Sequence, residues 1–354
     1  MERYIGLDVH AASTTLAVIS HTGKRLKDFP VETNGRALIE AIRIIPGHKH
    51  LVLEEGTQSA WLQETLSPYV TELVVAGVTQ SRGQKTDTSD AYKLAEKLRV
   101  GSLDKRIFKA PRQFTMLREL ARTHAMISRD LVRVQARIKS IYRSRGVATP
   151  GRSVYCQRNR EQWLQQLAAP ARTSAARLYE HYDFLRELKE QAQASLVCES
   201  GEHRIARVLQ TAPGLGPIRV ARLLPIVVTP YRFRTKRQFW SYCGLGIVMR
   251  SSSDWVRTDD GGWTRAQVKR TRGLSWQYNR TLKDIFKGAA TTVLLKPSQE
   301  PIYAGYKRMV DAGTKPNLAK VTLARTIAAI VLRMWKNEEA YDPEYCEKQK
   351  GRKA

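Results

Sequence analysis

The sequence predicts an α/β domain at the N-terminal end of the chain, followed by a mainly α-helical remainder. Three observations support this fold class. Residues 3–100 alternate short β-rich runs with helical runs, residues 113–146 carry apolar side chains at helical spacing, and most of residues 203–338 have a helical pattern. The 354 residues suffice for two or three domains, each with its own core.

The N-terminal elements follow one another in a defined order. Strands are predicted at residues 3–9, 14–20, 25–32, 50–55 and 72–77, and helices at residues 34–45, 58–68 and 89–100. The order β-β-β-α-β-α-β-α is that of the ribonuclease H-like fold, a mixed sheet with helices on its faces.

The central part of the chain is predicted to be helical and highly charged. Its two helical runs cover residues 113–146 and residues 158–197. They indicate a long antiparallel helical hairpin or an arm that meets another subunit, with a plain helical subdomain as the alternative.

The third region begins near residue 203 with a helix, the segment TAPGLGP and a second helix. A loop is predicted over residues 229–246, followed by a basic, glycine-containing stretch and further helices. The predicted divisions are a ribonuclease H-like catalytic domain at 1–110, a helical or coiled-coil arm at 111–200, a third domain at 201–340 and a disordered tail at 341–354.

Charge is distributed unevenly along the chain. The first hundred residues hold 12 Lys+Arg and 12 Asp+Glu, so the whole formal net charge of +27 belongs to residues 101–354. A cationic surface of this size attracts phosphate backbones, and a neutral, acid-containing head beside it is typical of an enzyme that cuts or joins nucleic acid.

Other bulk features exclude competing classes. No apolar run approaches the roughly 20 residues that a membrane-spanning helix needs, and the N-terminus lacks the apolar core of a signal peptide. The four cysteines are far apart with no CxxC pairing, which favours free thiols over disulfides or a zinc site. The sequence therefore predicts a cytoplasmic protein of bacterial or archaeal type, associated with the nucleoid and not with a membrane.

Four acidic residues lie at the ends of predicted N-terminal elements. Asp8 and Glu54 end two strands, and Asp87 and Asp90 are three residues apart at a helix start, so that both can share one face. Neighbouring strand ends would bring the four carboxylates into one pocket, where they would repel each other without a cation. Carboxylate oxygens suit Mg²⁺, and two such ions stabilise the attacking and leaving oxygens of a phosphodiester.

Two neighbours of these acids complicate the assignment. Glu55 competes with Glu54, and strand alternation allows only one of them to point into the site. His10 would share a face with Asp8 if the strand continued, but it is expected to be a turn residue and not a ligand. Asp87 and Asp90 could also serve only as helix caps.

The segment from Pro213 to Pro217 matches the helix-hairpin-helix pattern of apolar-Pro-Gly-apolar-Gly. Gly214 and Gly216 would let the backbone approach a phosphate, and the next helix would add free N–H groups. As a bare connection between two helices the segment would be structural.

Residues 231–290 combine basic and aromatic side chains. They hold 13 Lys+Arg and 4 Asp+Glu. Arginine and lysine here are candidates for phosphate contact, and most of the aromatic residues are assigned to the core. The nucleic-acid-binding candidates are Arg232, Arg234, Lys236, Arg237 and Arg250, together with Gly214 and Gly216. The serines at 251–253 are, on composition alone, a loop.

The chain resembles the DEDD-type insertion-sequence transposases, the bridge-RNA-guided recombinases. The segments GLDVHAAS, LEEG and KTDTSDAYKLA resemble the RuvC-like domain of that family, and APGLGPIRVARLL and FWSYCGLGIVMRSSS resemble its C-terminal transposase domain. The resemblance covers residues 3–340 in the family's order.

The resemblance implies a catalytic set and its partners. Asp8, Glu54, Asp87 and Asp90 would bind Mg²⁺, two ions per active site, and Ser252, eight residues past Gly244, would be the nucleophile that forms a phosphoserine link to a DNA end. The implied partners are donor and target double-stranded DNA, a non-coding bridge RNA and further copies of the chain in a dimer or tetramer.

This sequence departs from the family pattern at three points. Ile247 replaces a proline, and Glu55 replaces a small residue. Ser-Ser-Ser-Asp replaces Ser-Gly, so Ser251 and Ser253 stay open as nucleophiles. From the residues alone, a Mg²⁺-dependent junction resolvase without a covalent intermediate and a non-enzymatic nucleic-acid-binding protein remain alternatives.

Overall fold

The computed structural model describes residues 1–78, 86–109, 113–250, 255–265, 271–274, 276–296 and 301–343. The chain divides into two compact units, Met1–Gln113 and Phe114–Ala354. Within the described parts, no helix combines the length and the apolar character that a membrane crossing requires.

The first unit is built on one mixed sheet. Its strands are β1 (Glu2–Val9), β2 (Ser13–Ser20), β3 (Arg25–Glu32), β4 (His48–Glu54), β5 (Glu72–Ala76) and β6 (Arg106–Ile107), in the spatial order β3-β2-β1-β4-β5-β6. Strands β1, β4 and β5 run parallel, and the other pairings are antiparallel. The eight predicted elements are all present in the predicted order, and the short edge strand β6 is an addition.

Three helices cover the sheet, α1 (Gly35–Arg43), α2 (Ser59–Leu66) and α3 (Asp87–Arg99). Strand alternation divides the apolar side chains between two faces. Ile5, Leu7, Leu51 and Leu53 pack with α1 and α2 on one face. On the other face Val52 packs with residues of α3.

Helix α3 crosses β1 at close range because of Gly6. A Cβ atom at Gly6 would lie 1.9 Å from the carbonyl oxygen of Ala91 and 2.9 Å from the backbone nitrogen of Ala95. Only glycine permits this approach of helix backbone to strand backbone. The contact sets the distance between the first turn of α3 and the end of β1.

The second unit is mainly helical. Its helices are α4 (Thr115–Arg143), α5 (Arg160–Leu164), α6 (Ala169–Gly201), α7 (Arg204–Gln210), α8 (Pro217–Val227), α9 (Lys236–Tyr242), α10 (Arg280–Leu295), α11 (Pro301–Asp311) and α12 (Pro316–Asn337). Its strands are β7 (Ile247–Arg250), β8 (Trp255–Arg257), β9 (Trp263–Arg265) and β10 (Thr271–Leu274). The N-terminal α/β sheet and the mainly helical remainder confirm the predicted fold class at this level.

Helices α4 and α6 form the predicted antiparallel hairpin. The hydroxyls of Tyr142, near the end of α4, and Tyr179, near the start of α6, are 3.1 Å apart. Tyr179 also donates to the carbonyl of Val154 at 2.9 Å. Arg160 forms an ion pair with Asp183 beside them.

The prediction of a loop over residues 229–246 is wrong for the central part of this segment, which forms α9. A capping box starts this helix, in which Thr235 accepts from the backbone of Gln238 and the Gln238 side chain accepts from the backbone of Thr235. Phe239 then enters the core, 5.7 Å from the ring of Phe286 in an edge-to-face contact. The two satisfied backbone groups and the buried ring explain why this basic stretch is helical.

The glycine-containing stretch after α9 forms strands, which the sequence did not predict. Strand β7 pairs antiparallel with β10, and β8 pairs antiparallel with β9. The inner hairpin is therefore nested in the sequence between the two strands of the outer one.

Candidate metal centre and nucleic-acid contacts

Asp8 lies near the end of β1 on the face of the sheet that α3 covers. Strand alternation places it on the side of Gly6, opposite the buried Ile5 and Leu7. Its side chain keeps 26% of its accessible surface. The carboxylate is thus partly exposed at the end of β1, on the side of α3.

The first turn of α3 supplies Asp87 and Asp90. Thr86 caps the helix by accepting from the backbone of Ser89 at 3.3 Å. Carboxylates are favoured in a first turn because the helix dipole is positive there. Lys93 donates to Asp90 at 2.9 Å, one turn further on.

His10 joins the acids to form a three-residue cluster. Its Nε2 lies 3.5 Å from Asp8 Oδ2 and 3.5 Å from Asp87 Oδ1. Ligand atoms from Asp8, His10 and Asp87 all lie within 4.8 Å of one another. The backbone of His10 lies in the turn before β2, and its side chain brings a ring nitrogen to the two aspartates.

The electrostatics of the cluster favour a cation. Burial raises the pKa of Asp8, His10 opposes the rise, and the nearby charges of Asp87 and Asp90 add to it. The raised pKa means that negative charge on Asp8 is costly in the metal-free protein. A positive ion between these groups would relieve that cost.

The structure separates Glu54 from Glu55 by their surroundings. Glu55 is held by Lys109, whose Nζ is 2.5 Å away, and it accepts from the Ser59 hydroxyl at 3.4 Å. Glu54 follows the alternation of β4 onto the face of Val52, which is the face of α3. Among the described residues, neither Glu54 nor Asp90 belongs to the 4.8 Å cluster.

The donor set fits a divalent cation. Asp8 and Asp87 offer carboxylate oxygens, which suit Mg²⁺ and Mn²⁺, and His10 offers an imidazole nitrogen. Partial exposure of Asp87 and His10 leaves room for water or a phosphate oxygen.

The PGLG segment connects α7 to α8 and is braced by Arg219. The Arg219 guanidinium donates to the carbonyl of Gly214 at 2.8 Å and to the hydroxyl of Thr292 at 3.0 Å. Gly214 has φ +70°, and a Cβ there would lie 2.3 Å from the carbonyl oxygen of Ala289. Packing against α10 therefore explains this glycine.

Gly216 is different from Gly214. It is the N-terminal cap of α8 with φ −81°, and a Cβ there would meet nothing within 4 Å. It borders a groove of about 370 Å³, together with Gly214 and Lys296. A side chain at this position would meet no steric obstacle within the fold, and Gly216 stays a candidate for phosphate contact.

The basic candidates of this region fall into two groups. Arg232 donates to the carbonyls of Ile226 and Val227 at 3.1 Å and 3.2 Å, so its guanidinium braces the end of α8. Arg234, Lys236 and Arg237 are exposed at the start of α9 and remain candidates for phosphate contact. Arg250 is the last residue of β7.

The aromatic residues of this region are less buried than predicted. Phe233 and Phe239 do belong to the core, at 6% and 1% exposure. Trp255, Trp263 and Trp276 instead expose 57%, 66% and 89% of their surface. The assignment of most of these rings to the core is therefore wrong for the tryptophans after residue 250.

The candidate nucleophiles Ser251, Ser252 and Ser253 lie outside the described residues, in the segment that connects β7 to β8. Most of the predicted tail is outside them too. The assignment of a serine nucleophile and that of a disordered tail therefore rest on the sequence alone.

Comparison with known families covers both units. Residues 5–144 match the DEDD transposases of IS110 type, and residues 206–304 match the transposases of the IS116/IS110/IS902 family. The molecule is thus a DNA transposase by class. The chain belongs to the IS110 family, since the two matches together span about two thirds of its length. No curated protein matches the chain.

Proposed function

We propose that this transposase cleaves and exchanges strands between donor and target DNA, using a set of acidic residues that binds metal and a serine nucleophile. The meeting of Asp8, His10 and Asp87 at the end of β1 carries the proposal, because it concentrates ligand atoms for a cation beside open surface. The strand order and the crossing of α3 support a RuvC-like ribonuclease H fold for the first unit.

Asp8, Asp87, Glu54 and Asp90 form the proposed acidic tetrad. Asp8 and Asp87 would hold the cation directly, and Glu54 reaches the same face of the sheet from β4. When bound, Mg²⁺ would stabilise negative charge on the oxygens of the reacting phosphodiester, with two ions in the complete site. His10 would offer one ring nitrogen beside the two aspartates as a third ligand atom for that cation.

Ser252 is the proposed nucleophile. Its Oγ would bond to phosphorus while the bond from phosphorus to one sugar oxygen breaks; the serine proton leaves to a base, and the departing oxygen takes up a proton. One phosphodiester is exchanged for another, so the energy of the broken bond is kept for rejoining. The family resemblance and the position of the serines in a basic segment support this role.

A bridge RNA is proposed to select the two DNA sites. The cationic excess of residues 101–354 can hold RNA and DNA backbones without reading bases. Sequence choice would then rest on base pairing, with the protein recognising backbone and shape. Cutting two duplexes calls for a dimer or tetramer, and the cytoplasm is the proposed location.

The deciding experiment follows covalent protein–DNA adducts and recombination products in parallel. We expect Ser252→Ala to abolish both, while Ser251→Ala and Ser253→Ala retain them. Asp8→Asn should abolish products, with Asp104→Asn as a matched control on an exposed carboxylate. Hydrolytic ends from a protein that never forms adducts would identify a resolvase-like nuclease instead. Full activity in Ser252→Ala would remove the serine from the mechanism.

A further inference from the structure

We propose that the hairpin of β8 and β9 binds an unpaired stretch of DNA next to the cleavage position, by stacking bases on Trp255 and Trp263. Arg257 would contact the adjoining phosphates. This inference rests on the proposed function, because it assigns to the hairpin the strand on which the serine acts.

The register of the hairpin brings these side chains to one face. Arg257 pairs directly with Trp263 across the two strands, and Trp255 lies two residues before Arg257. Because side chains alternate along a strand, Trp255, Arg257 and Trp263 project to the same side, and Val256 projects to the other. Two indoles and a guanidinium thus form a single small surface.

That surface is open to solvent. Trp255 and Trp263 are 57% and 66% exposed, and Val256 on the opposite face is 50% exposed. Tryptophan is usually among the most buried residues on average, and neighbouring exposed apolar side chains mark binding surfaces. The hairpin therefore displays its large rings instead of burying them.

The turn of the hairpin is well braced. Thr258 donates its backbone N–H to the carbonyl of Gly262 at 2.8 Å, and Gly261 donates to the carbonyl of Thr258 at 2.9 Å. Gly261 adopts φ +83°, which favours glycine. Rings on a fixed hairpin lose little conformational freedom on binding, which favours stacking.

Charge and chemistry point to nucleic acid as the occupant. Residues 231–290 hold 13 Lys+Arg against 4 Asp+Glu, and Arg257 is part of the same face as the two rings. Every nucleobase has a flat π-face that stacks on an indole, and arginine pairs with phosphate. Bases within a duplex are already stacked on one another, so the face suits unpaired bases.

Chain connectivity places this face near the proposed nucleophile. Arg250 pairs with Thr271 at the end of the outer ribbon, and β8 begins at Trp255. Trp255 comes three residues after Ser252, and three steps along the chain span at most about 11 Å. A base stacked on Trp255 would thus belong to the strand being cut, which favours DNA over the guide RNA as the occupant.

The test measures binding of a fluorescent dT12 oligonucleotide to the full-length protein by anisotropy, with a chelator present so that the acidic tetrad plays no part. The double variant Trp255→Ala/Trp263→Ala should bind about five- to 150-fold more weakly for each stacked base that is lost. Trp255→Phe/Trp263→Phe should retain most of the affinity, because phenylalanine still stacks. Trp61→Ala, which removes a 40% exposed indole from the first unit, should bind like the wild type.

Salt titration separates stacking from charge. The double alanine variant should keep the wild-type dependence of affinity on salt, whereas Arg257→Ala should reduce the slope of log K against log salt by about 0.7.

Unchanged dT12 binding by the double alanine variant would overturn the proposal, as would an equal loss of affinity in Trp61→Ala. The same measurement is made with an rU12 oligonucleotide. If the double alanine variant loses affinity for rU12 only, the hairpin binds RNA and the DNA proposal is overturned. A wild-type protein that binds neither oligonucleotide nor duplex DNA would contradict the proposed function itself.

Discussion

At the scale of single residues, the surroundings of Asp8 disfavour the negative charge of its carboxylate. Burial raises its pKa, and the charges of Asp87 and Asp90 reinforce the rise, with His10 opposing. The ionised carboxylate therefore destabilises the metal-free protein, and a bound cation would offset that cost.

Asp8→Asn should separate these two effects. We expect the stabilisation of the protein by Mg²⁺ or Mn²⁺ in thermal unfolding to disappear and DNA cleavage to fall by about 100-fold or more. In the presence of a chelator, the variant should resist thermal unfolding as well as the wild type or better, because an unfavourable partly buried charge has been removed. Asp104→Asn should change neither measurement, and persistent divalent stabilisation of Asp8→Asn would show that the ion binds elsewhere.

His50 provides a second prediction, on pH. Its ring nitrogens lie 2.9 Å from Glu72 and 2.8 Å from Glu2, and it stacks on Tyr4. Burial alone lowers the pKa of His50, but the hydrogen bonds to Glu72 and Glu2 outweigh it, so the pKa is raised above 6.5.

Because the folded-state pKa is the higher one, the stabilisation from His50 is fully present below about pH 6.5 and is lost as pH rises through the raised value. Hydrogen exchange of β1 and β4 should therefore speed up as the pH rises above about 6.5, beyond its intrinsic pH dependence. His50→Gln should abolish that excess. An excess of equal size in His50→Gln would assign it to another group.

At the scale of elements, the position of α3 depends on Gly6. The variant Gly6→Ala should displace α3 from β1, since the new Cβ would lie 1.9 Å from the carbonyl oxygen of Ala91. We expect a loss of about 3 kcal/mol in the free energy of unfolding by urea. Stabilisation by divalent ions should also be lost, because Asp87 moves with α3.

Gly56→Ala is the matched control for this change, because a Cβ there meets nothing within 4 Å. It should unfold like the wild type. A Gly6→Ala protein that keeps both its stability and its response to divalent ions would show that α3 does not set the site.

The PGLG segment offers a comparison within one loop. Gly214→Ala should destabilise the second unit, because of its positive φ and the 2.3 Å approach to Ala289. Gly216→Ala should leave stability unchanged and weaken binding of duplex DNA, measured by anisotropy. Equal DNA affinity in Gly216→Ala and the wild type would make the loop a purely structural connection.

The sequence predicted those elements whose pattern has a clear period. The strands of the first unit alternate, and its helices carry caps such as Asn34, so their order was predictable. Helix α9 was missed although the pair Thr235 and Gln238 has capping-box spacing, since its basic composition resembles a loop. The proximity of His10 to Asp87 depends on how far a turn bends, and local sequence does not encode that distance.

At the scale of the whole molecule, charge should dominate affinity for nucleic acid. A chain with a net charge of +27 that makes six or more phosphate contacts should lose duplex DNA affinity by about a thousandfold or more between 50 and 200 mM salt. The measurement is the slope of log K against log salt. A shallow slope would mean that the cationic surface is not what holds the duplex.

The even balance of charge in the first hundred residues has a consequence for how this part of the chain encounters DNA. This part of the chain carries the clustered acids but no excess of positive charge, so it has little attraction of its own for passing DNA. Cutting would be confined to strands that the cationic remainder of a chain presents to it. Under the proposed function, this distribution of charge would limit cutting of other DNA by the acidic part of the chain alone.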